Sequence, residues 1–139
     1  MPTKQIRIVV DTNIWISFLI SKKLIQLDKF IFNDKVKLLF SNELIDELIE
    51  VSKRDKFRKY FSNNDVTRLL ELFNVYGELV VVNSKTNVCR DYKDNFLLSL
   101  SNDGNANYLI SGDNDLLDLI QYGDTKIMTI TDFEIQVLV

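Results

Sequence analysis

The chain has 139 residues, 46% of them apolar and 27% charged, with a formal net charge of −3. That length suffices for one domain with a real core and no staples, and the lone Cys89 excludes an internal disulfide and points to a reducing, cytoplasmic setting. There is no histidine, which excludes histidine acid–base pairs, Ser-His-Asp and Cys-His nucleophiles and histidine-based zinc sites.

The remaining chemistry must come from carboxylates, lysines, hydroxyls or bound cations. The N-terminal MPTKQIR lacks an apolar signal core, and no apolar run is long enough to span a membrane. No repeat or linker-like stretch divides the chain, so 1–139 reads as a single domain. A negative balance gives no whole-protein attraction to nucleic acid, although bound metal ions supply positive charge locally.

Ile6–Val10 reads as a short β-branched strand and Thr12–Ile20 as an apolar helix after it. Asp11 stands at the seam, where an isolated ionised carboxylate is costly unless it is paired or cation-bound. It reads as a helix cap, a metal ligand, or both at once. Lys22–Asn33 has apolar residues at helical spacing, and Val36–Phe40 is a second strand.

Ser41 is placed to cap the helix NELIDELIEVSKR, which carries four acids in its first nine residues. At about 100° per residue, Leu44, Ile45, Leu48, Ile49 and Val51 form its buried stripe, with Glu43, Asp46 and Glu50 opposite. Glu47 falls at the edge of the stripe, between Leu44 and Val51, and alone faces a pocket. The following KRDKFRKYF interleaves five basic residues with Phe57, Tyr60 and Phe61. It reads either as an RNA phosphate track through Lys53, Arg54 and Arg58, or as a solvated turn whose aromatics are core.

Asn64–Tyr76 is an amphipathic helix stopping at Gly77, before a third strand in ELVVV. Cys89 reads as a small buried apolar residue. In CRDYKDNFLLSL, Asp94 stands over the apolar side of a helix spanning Asp94–Asn102, with Asp91 in the preceding turn; capping and function explain either acid equally well. Tyr108–Ser111 is a fourth strand ending near Asp113, with Asp115 in the same loop or first turn, and Gly112 allows a sharp turn or a close approach. Asn114–Gln121 reads as a helix and Lys126–Ile130 as a fifth strand. The apolar EIQVLV either packs as a last element or meets a partner.

The alternation argues an α/β fold, a three-layer α/β/α with a central, mainly parallel five-stranded sheet. Ligands in such sheets collect at the carboxyl ends of the strands, where Asp11 and Asp113 would be neighbours. Like charges that close need a cation or raised pKa values.

The motifs DTNIWIS (Asp11–Ser17), SNELIDEL, CRDYKDN (Cys89–Asn95) and ISGDNDLL (Ile110–Leu117), with the final TITDF, resemble the PIN domain, a family of metal-dependent ribonucleases. The resemblance runs from Val9 to about Phe133 and is nearest the toxins of toxin–antitoxin systems. It implies a PIN-like fold, an acidic quartet of Asp11, Glu47, Asp94 and Asp113, and an additional acid at Asp115. Thr12, Asn13 and Ser111 match supporting polar positions. It further implies Mg²⁺ or Mn²⁺ on hard oxygen ligands, an RNA substrate cut by water, and leaves an antitoxin partner and a homodimer open.

Three other readings stand beside it. An RNA-processing nuclease without an antitoxin would carry the same acids, and a PIN fold kept only for binding would have little turnover. A receiver-like regulatory module needs adjacent acids after strand one and an aspartate after strand three. Here Asp11 is followed by Thr12 and Asn13, and ELVVV runs into Asn83 and Ser84.

Overall fold

A computed structural model describes residues 5–21, 35–59 and 63–137. The helical pattern at Lys22–Asn33 lies outside these, as do Tyr60, Phe61 and the last two residues of EIQVLV. The strands are β1 (Ile6–Val10), β2 (Val36–Phe40), β3 (Gly77–Leu79), β4 (Tyr108–Ile110), β5 (Gln121–Tyr122) and β6 (Thr125–Met128). The helices are α1 (Thr12–Ser21), α2 (Asn42–Ser52), α3 (Asp55–Arg58), α4 (Asn63–Tyr76), α5 (Tyr92–Asp103), α6 (Asn114–Leu117) and α7 (Ile130–Gln136).

One sheet runs in the order β3-β2-β1-β4-β6-β5. All neighbouring pairs are parallel except β5 with β6. Successive residues of β1 face opposite sides: Ile8 and Val10 pack with Trp15, Phe73 and Phe133, while Val9 packs with Leu98, Leu100 and Leu109. Helices α1, α4 and α7 cover the first side and α5 and α6 the second, giving the three layers expected for a parallel sheet.

The sheet has six strands, not five. Helix α6 ends at Leu117 rather than Gln121, and the chain turns back through Ile120 (φ 64°) and Gly123 (φ 58°). Gln121 and Tyr122 thereby form a short antiparallel edge on β6. The third strand ends at Leu79 instead of continuing through Val82. Carboxylate Oδ2 of Asp103 accepts from the N–H groups of Asn83 (2.6 Å) and Ser84 (2.9 Å), holding the chain to α5 beyond the strand. Of the C-terminal EIQVLV, residues 134–136 end α7 and Val137 packs against the core while Ile135 is exposed. Thr129 caps the helix by accepting from the Asp132 N–H, and Phe133, just before the segment, is fully buried.

Gly77 ends α4 for a reason other than the left-handed backbone of many helix-ending glycines. Its φ is not positive, but a Cβ there would lie 2.7 Å from the Phe40 ring and closer still to the Phe73 carbonyl oxygen. The helix passes into β3 with no intervening residue, so only a hydrogen fits at this junction. We expect Gly77→Ala to destabilise the protein by about 1–3 kcal/mol, as overpacking generally does. Urea denaturation measures this, and unchanged stability would show that the junction is not tightly packed.

Candidate metal centre

Strands β1 and β4 are hydrogen-bonded neighbours with Val10 opposite Ile110. Their carboxyl ends therefore bring Asp11 and the 111–113 loop together. Asp11 donates its N–H to the Ile110 carbonyl (2.9 Å), and its Oδ1 accepts from the Asn13 N–H (3.1 Å). Its Oδ2 accepts from the Ser111 hydroxyl at 2.8 Å. That same Ser111 oxygen accepts from the Asp113 N–H at 3.0 Å. Asp11 thus caps α1 and also reaches across the strand ends, at 6% exposure. Burial raises its pKa, against the two hydrogen bonds, and the charges of Asp113 and Glu47 push it up further.

Helix α2 begins at Ser41, whose hydroxyl accepts from the Leu44 N–H as a cap. Its acids separate as the helical wheel predicts: Glu43, Asp46 and Glu50 are exposed, while Glu47 is half-buried. Glu47 Oε2 accepts from Thr12 Oγ1 (3.2 Å), and Oε1 lies 3.5 Å from Lys93 Nζ. The expectation that Glu47 alone faces a pocket does not hold. Glu43, Asp46 and Glu50 line, with Glu47, Lys93 and Phe96, the same cleft of about 370 Å³ between α2 and α5, and it is burial that separates Glu47 from them.

Asp91 and Asp94 have different fates. Asp91 caps α5 by accepting from the Lys93 N–H (2.9 Å) and is exposed. Asp94 is 4% exposed, and its Oδ2 is buried with no hydrogen-bond partner among the described residues. Burial, the Asp113 charge and a hydrogen bond shared with Asp113 push the Asp94 pKa up to about 7. Oxygens of Asp94, Asp113 and Asp115 lie within 4.8 Å of one another. Among the described residues these three acids form the tight group, with Asp11 joined through Ser111 and Glu47 lying beside Asp11 through Thr12. Asp113 also caps α6 by accepting from the Asp115 N–H (2.9 Å). An orphaned buried carboxylate oxygen among hard oxygen donors suits a divalent cation such as Mg²⁺ or Mn²⁺.

Asn13 contributes its backbone to the site, its side chain being exposed. Gly112 has no positive φ, and a Cβ there would meet only Ile14, at 4.0 Å, so crowding does not require glycine. Cys89 is half-buried, and burial together with nearby carboxylates raises its thiol pKa, away from a nucleophilic role. Phe57 packs against the core, as the solvated-turn reading expects, while Lys53, Arg54 and Arg58 are exposed.

Three residues at the site were not singled out from the sequence. Arg90 Nη2 lies 3.5 Å from Asp115 Oδ1, and Lys93 pairs with Glu47. Asn95 holds the preceding loop: its Oδ1 accepts from the Val88 (3.0 Å) and Cys89 (2.7 Å) N–H groups, and its Nδ2 donates to the Cys89 carbonyl (2.9 Å). All three fall within the quoted CRDYKDN, but only tertiary contacts reveal what they touch.

The sequence pattern described as PIN domain matches residues 7–115, which include every acid of this site. The chain is also 32% identical over 118 residues to Uncharacterized protein MJ1680 of Methanocaldococcus jannaschii, across 83% of this chain and 76% of that protein. The sheet, flanking helices and strand-end acids described above agree with the family match, and the chain belongs to the PIN domain family.

Proposed function

We propose that residues 1–139 form one catalytic domain that hydrolyses phosphodiester bonds of single-stranded RNA with Mg²⁺ or Mn²⁺. The family is of nuclease type. The observation that carries the finer reading is the unpartnered, buried Asp94 Oδ2 beside Asp113 and Asp115. The family match sets aside the receiver-like alternative.

In this reading Asp94, Asp113 and Asp115 hold the metal, and Asp11 and Glu47 complete its surroundings. When bound, the cation would make a water nucleophilic at neutral pH and offset charge developing on the phosphate. The chain's own residues supply the positioning. Ser111 fixes the Asp11 carboxylate against the Asp113 loop, and Thr12 orients Glu47. Glu47 or Asp94 takes the proton of the attacking water, whose oxygen bonds to phosphorus as the bond to O3′ breaks, and solvent water protonates the departing O3′. The products are a 5′-phosphate and a 3′-hydroxyl. Lys53, Arg54 and Arg58 serve as a peripheral track for RNA phosphates.

The four-motif resemblance further supports a cytoplasmic toxin of a type II toxin–antitoxin pair, with its antitoxin and a second copy of the chain as partners. A small neighbouring gene encoding a DNA-binding protein distinguishes this from a solitary RNA-processing nuclease. Among the described residues no helix is long and apolar enough to cross a membrane.

Purified protein should cut single-stranded RNA in Mg²⁺ or Mn²⁺ and stop in EDTA. Glu47→Gln should slow single-turnover cleavage by about 10²-fold or more, the scale of a lost acid–base group. Glu50→Gln, on the exposed face, should match wild type. Undiminished cleavage in excess chelator contradicts the metal reading, and equal rates for the two variants contradict the role of Glu47.

The raised Asp94 pKa makes a separate, metal-free prediction. The folded value of about 7 exceeds the ordinary aspartate value of 3.8, so the folded state binds more protons between those limits. Stability therefore falls as pH rises through that window. Asp94→Asn should remove this loss, so its advantage over wild type should grow from about pH 4 and level off above about pH 7. Burial first and the Asp113 charge second set this shift, and the advantage at its plateau should be roughly 2–4 kcal/mol. Urea denaturation of both proteins in EDTA across this range measures it. A margin independent of pH would show that burial and its neighbours' charge do not hold Asp94 above the ordinary aspartate range.

A further inference from the structure

Among the described residues two cations reach the acidic site, and folding does not account for them. Arg90 lies 3.5 Å from Asp115 and Lys93 lies 3.5 Å from Glu47, with side chains 91% and 41% exposed. Ion pairs this open to water contribute about 0–1 kcal/mol, so they do not hold the loop in place. Asn95 does that, gripping both the N–H and the carbonyl of Cys89, next to Arg90. The cap of α5 fixes Lys93 in turn, through its N–H on Asp91. Both cations therefore rise from an anchored backbone, with their charged ends at the rim of the acid group.

A phosphodiester is an anion, and the mouth it must approach carries Asp11, Glu47, Asp94, Asp113 and Asp115. We propose that Arg90 and Lys93 are the residues that grip substrate phosphate, and that in the metal-free protein they serve as exchangeable counter-ions for Asp115 and Glu47. The inference rests on the nuclease reading above. A cation taken up by the carboxylates replaces these weak pairs and releases the guanidinium and the ammonium beside the reacting phosphate. The guanidinium fork suits two phosphate oxygens, and the ammonium acts as a point charge. The Lys53–Arg58 cluster is poorly placed for this task. Lys53, the residue that caps the C-terminus of α2, lies six residues beyond Glu47, roughly 9 Å along the helix axis.

The arrangement predicts effects of opposite sign on two ligands. In Arg90→Gln/Lys93→Gln, Mn²⁺ binding measured by calorimetry without RNA should tighten about 3–10-fold, because the competing cations are gone. Affinity for a single-stranded oligoribonucleotide in Ca²⁺, checked to remain intact, should fall about tenfold. The slope of log affinity against log salt should become shallower by about 1.4, at roughly 0.7 per lost phosphate contact. Arg90→Lys should retain part of the RNA affinity, and the melting temperature of the double variant without metal should stay near wild type. Replacing Lys53, Arg54 and Arg58 by Gln should weaken RNA binding while leaving Mn²⁺ affinity unchanged. Normal Mn²⁺ binding with unchanged RNA affinity in the double variant overturns this inference alone. Unchanged or weaker Mn²⁺ binding in that variant overturns the counter-ion role. A wild-type protein that binds no Mn²⁺ overturns the nuclease reading and this inference together.

Discussion

The Ser111 hydroxyl donates to Asp11 and accepts from the Asp113 N–H, and so fixes two strand ends that would otherwise present two carboxylates with nothing between them. The contact exists because β1 and β4 are parallel neighbours in register at Val10 and Ile110, and because Ser111 is fully buried beneath the loop. The rest of the site is added to this pair. Thr12, the residue after Asp11, donates to Glu47 and so positions α2 against the site. Asp94 enters from α5 on the other side of the sheet, directed inward by a helix whose Leu97, Leu98 and Leu100 are buried. Sheet register places the acids, and the hydroxyls of Ser111 and Thr12 set their directions.

This arrangement opposes folding. Asp11 and Asp94 are buried, and each feels the charge of Asp113, so both are held above the usual carboxylate range. Their environments nevertheless differ. Asp11 has a hydrogen bond on each oxygen, whereas Asp94 Oδ2 has none. A buried acceptor without a donor costs roughly 1–3 kcal/mol, and nothing in the surrounding fold returns that energy. The core clusters on the two faces of the sheet supply enough apolar burial to tolerate it. Strain of this kind concentrates at functional sites.

Much of this was legible in the sequence, for reasons that differ by element. Ile6–Val10 and Val36–Phe40 are strands to the residue because a β-branched run in the first and a short apolar run in the second, each between polar residues, leave little choice. Glu47 was separable from Glu43, Asp46 and Glu50 because helical periodicity alone fixes which face a residue occupies. Asp91 and Asp94 were not separable, since either could cap α5; burial decided, and burial is tertiary. The edge strand β5 escaped notice because two residues carry no periodicity, although the Gly123–Asp124 turn beside it was a signal. The close approach at Gly77 and the grip of Asn95 on Cys89 depend on atoms distant in the chain or unspecified by spacing. The same limit hid Arg90 and Lys93, whose meaning depends on the acids they face.

The central claim is that Asp94, Asp113 and Asp115 form a cation site built on the β1–β4 strand ends. Diffraction from crystals soaked in Mn²⁺, with data collected for its anomalous signal, tests it most directly. The account predicts an anomalous peak among these three carboxylates, in contact with Asp94 Oδ2. A fully soaked crystal with no peak there, or with its strongest peak bound elsewhere on the molecule, would contradict it.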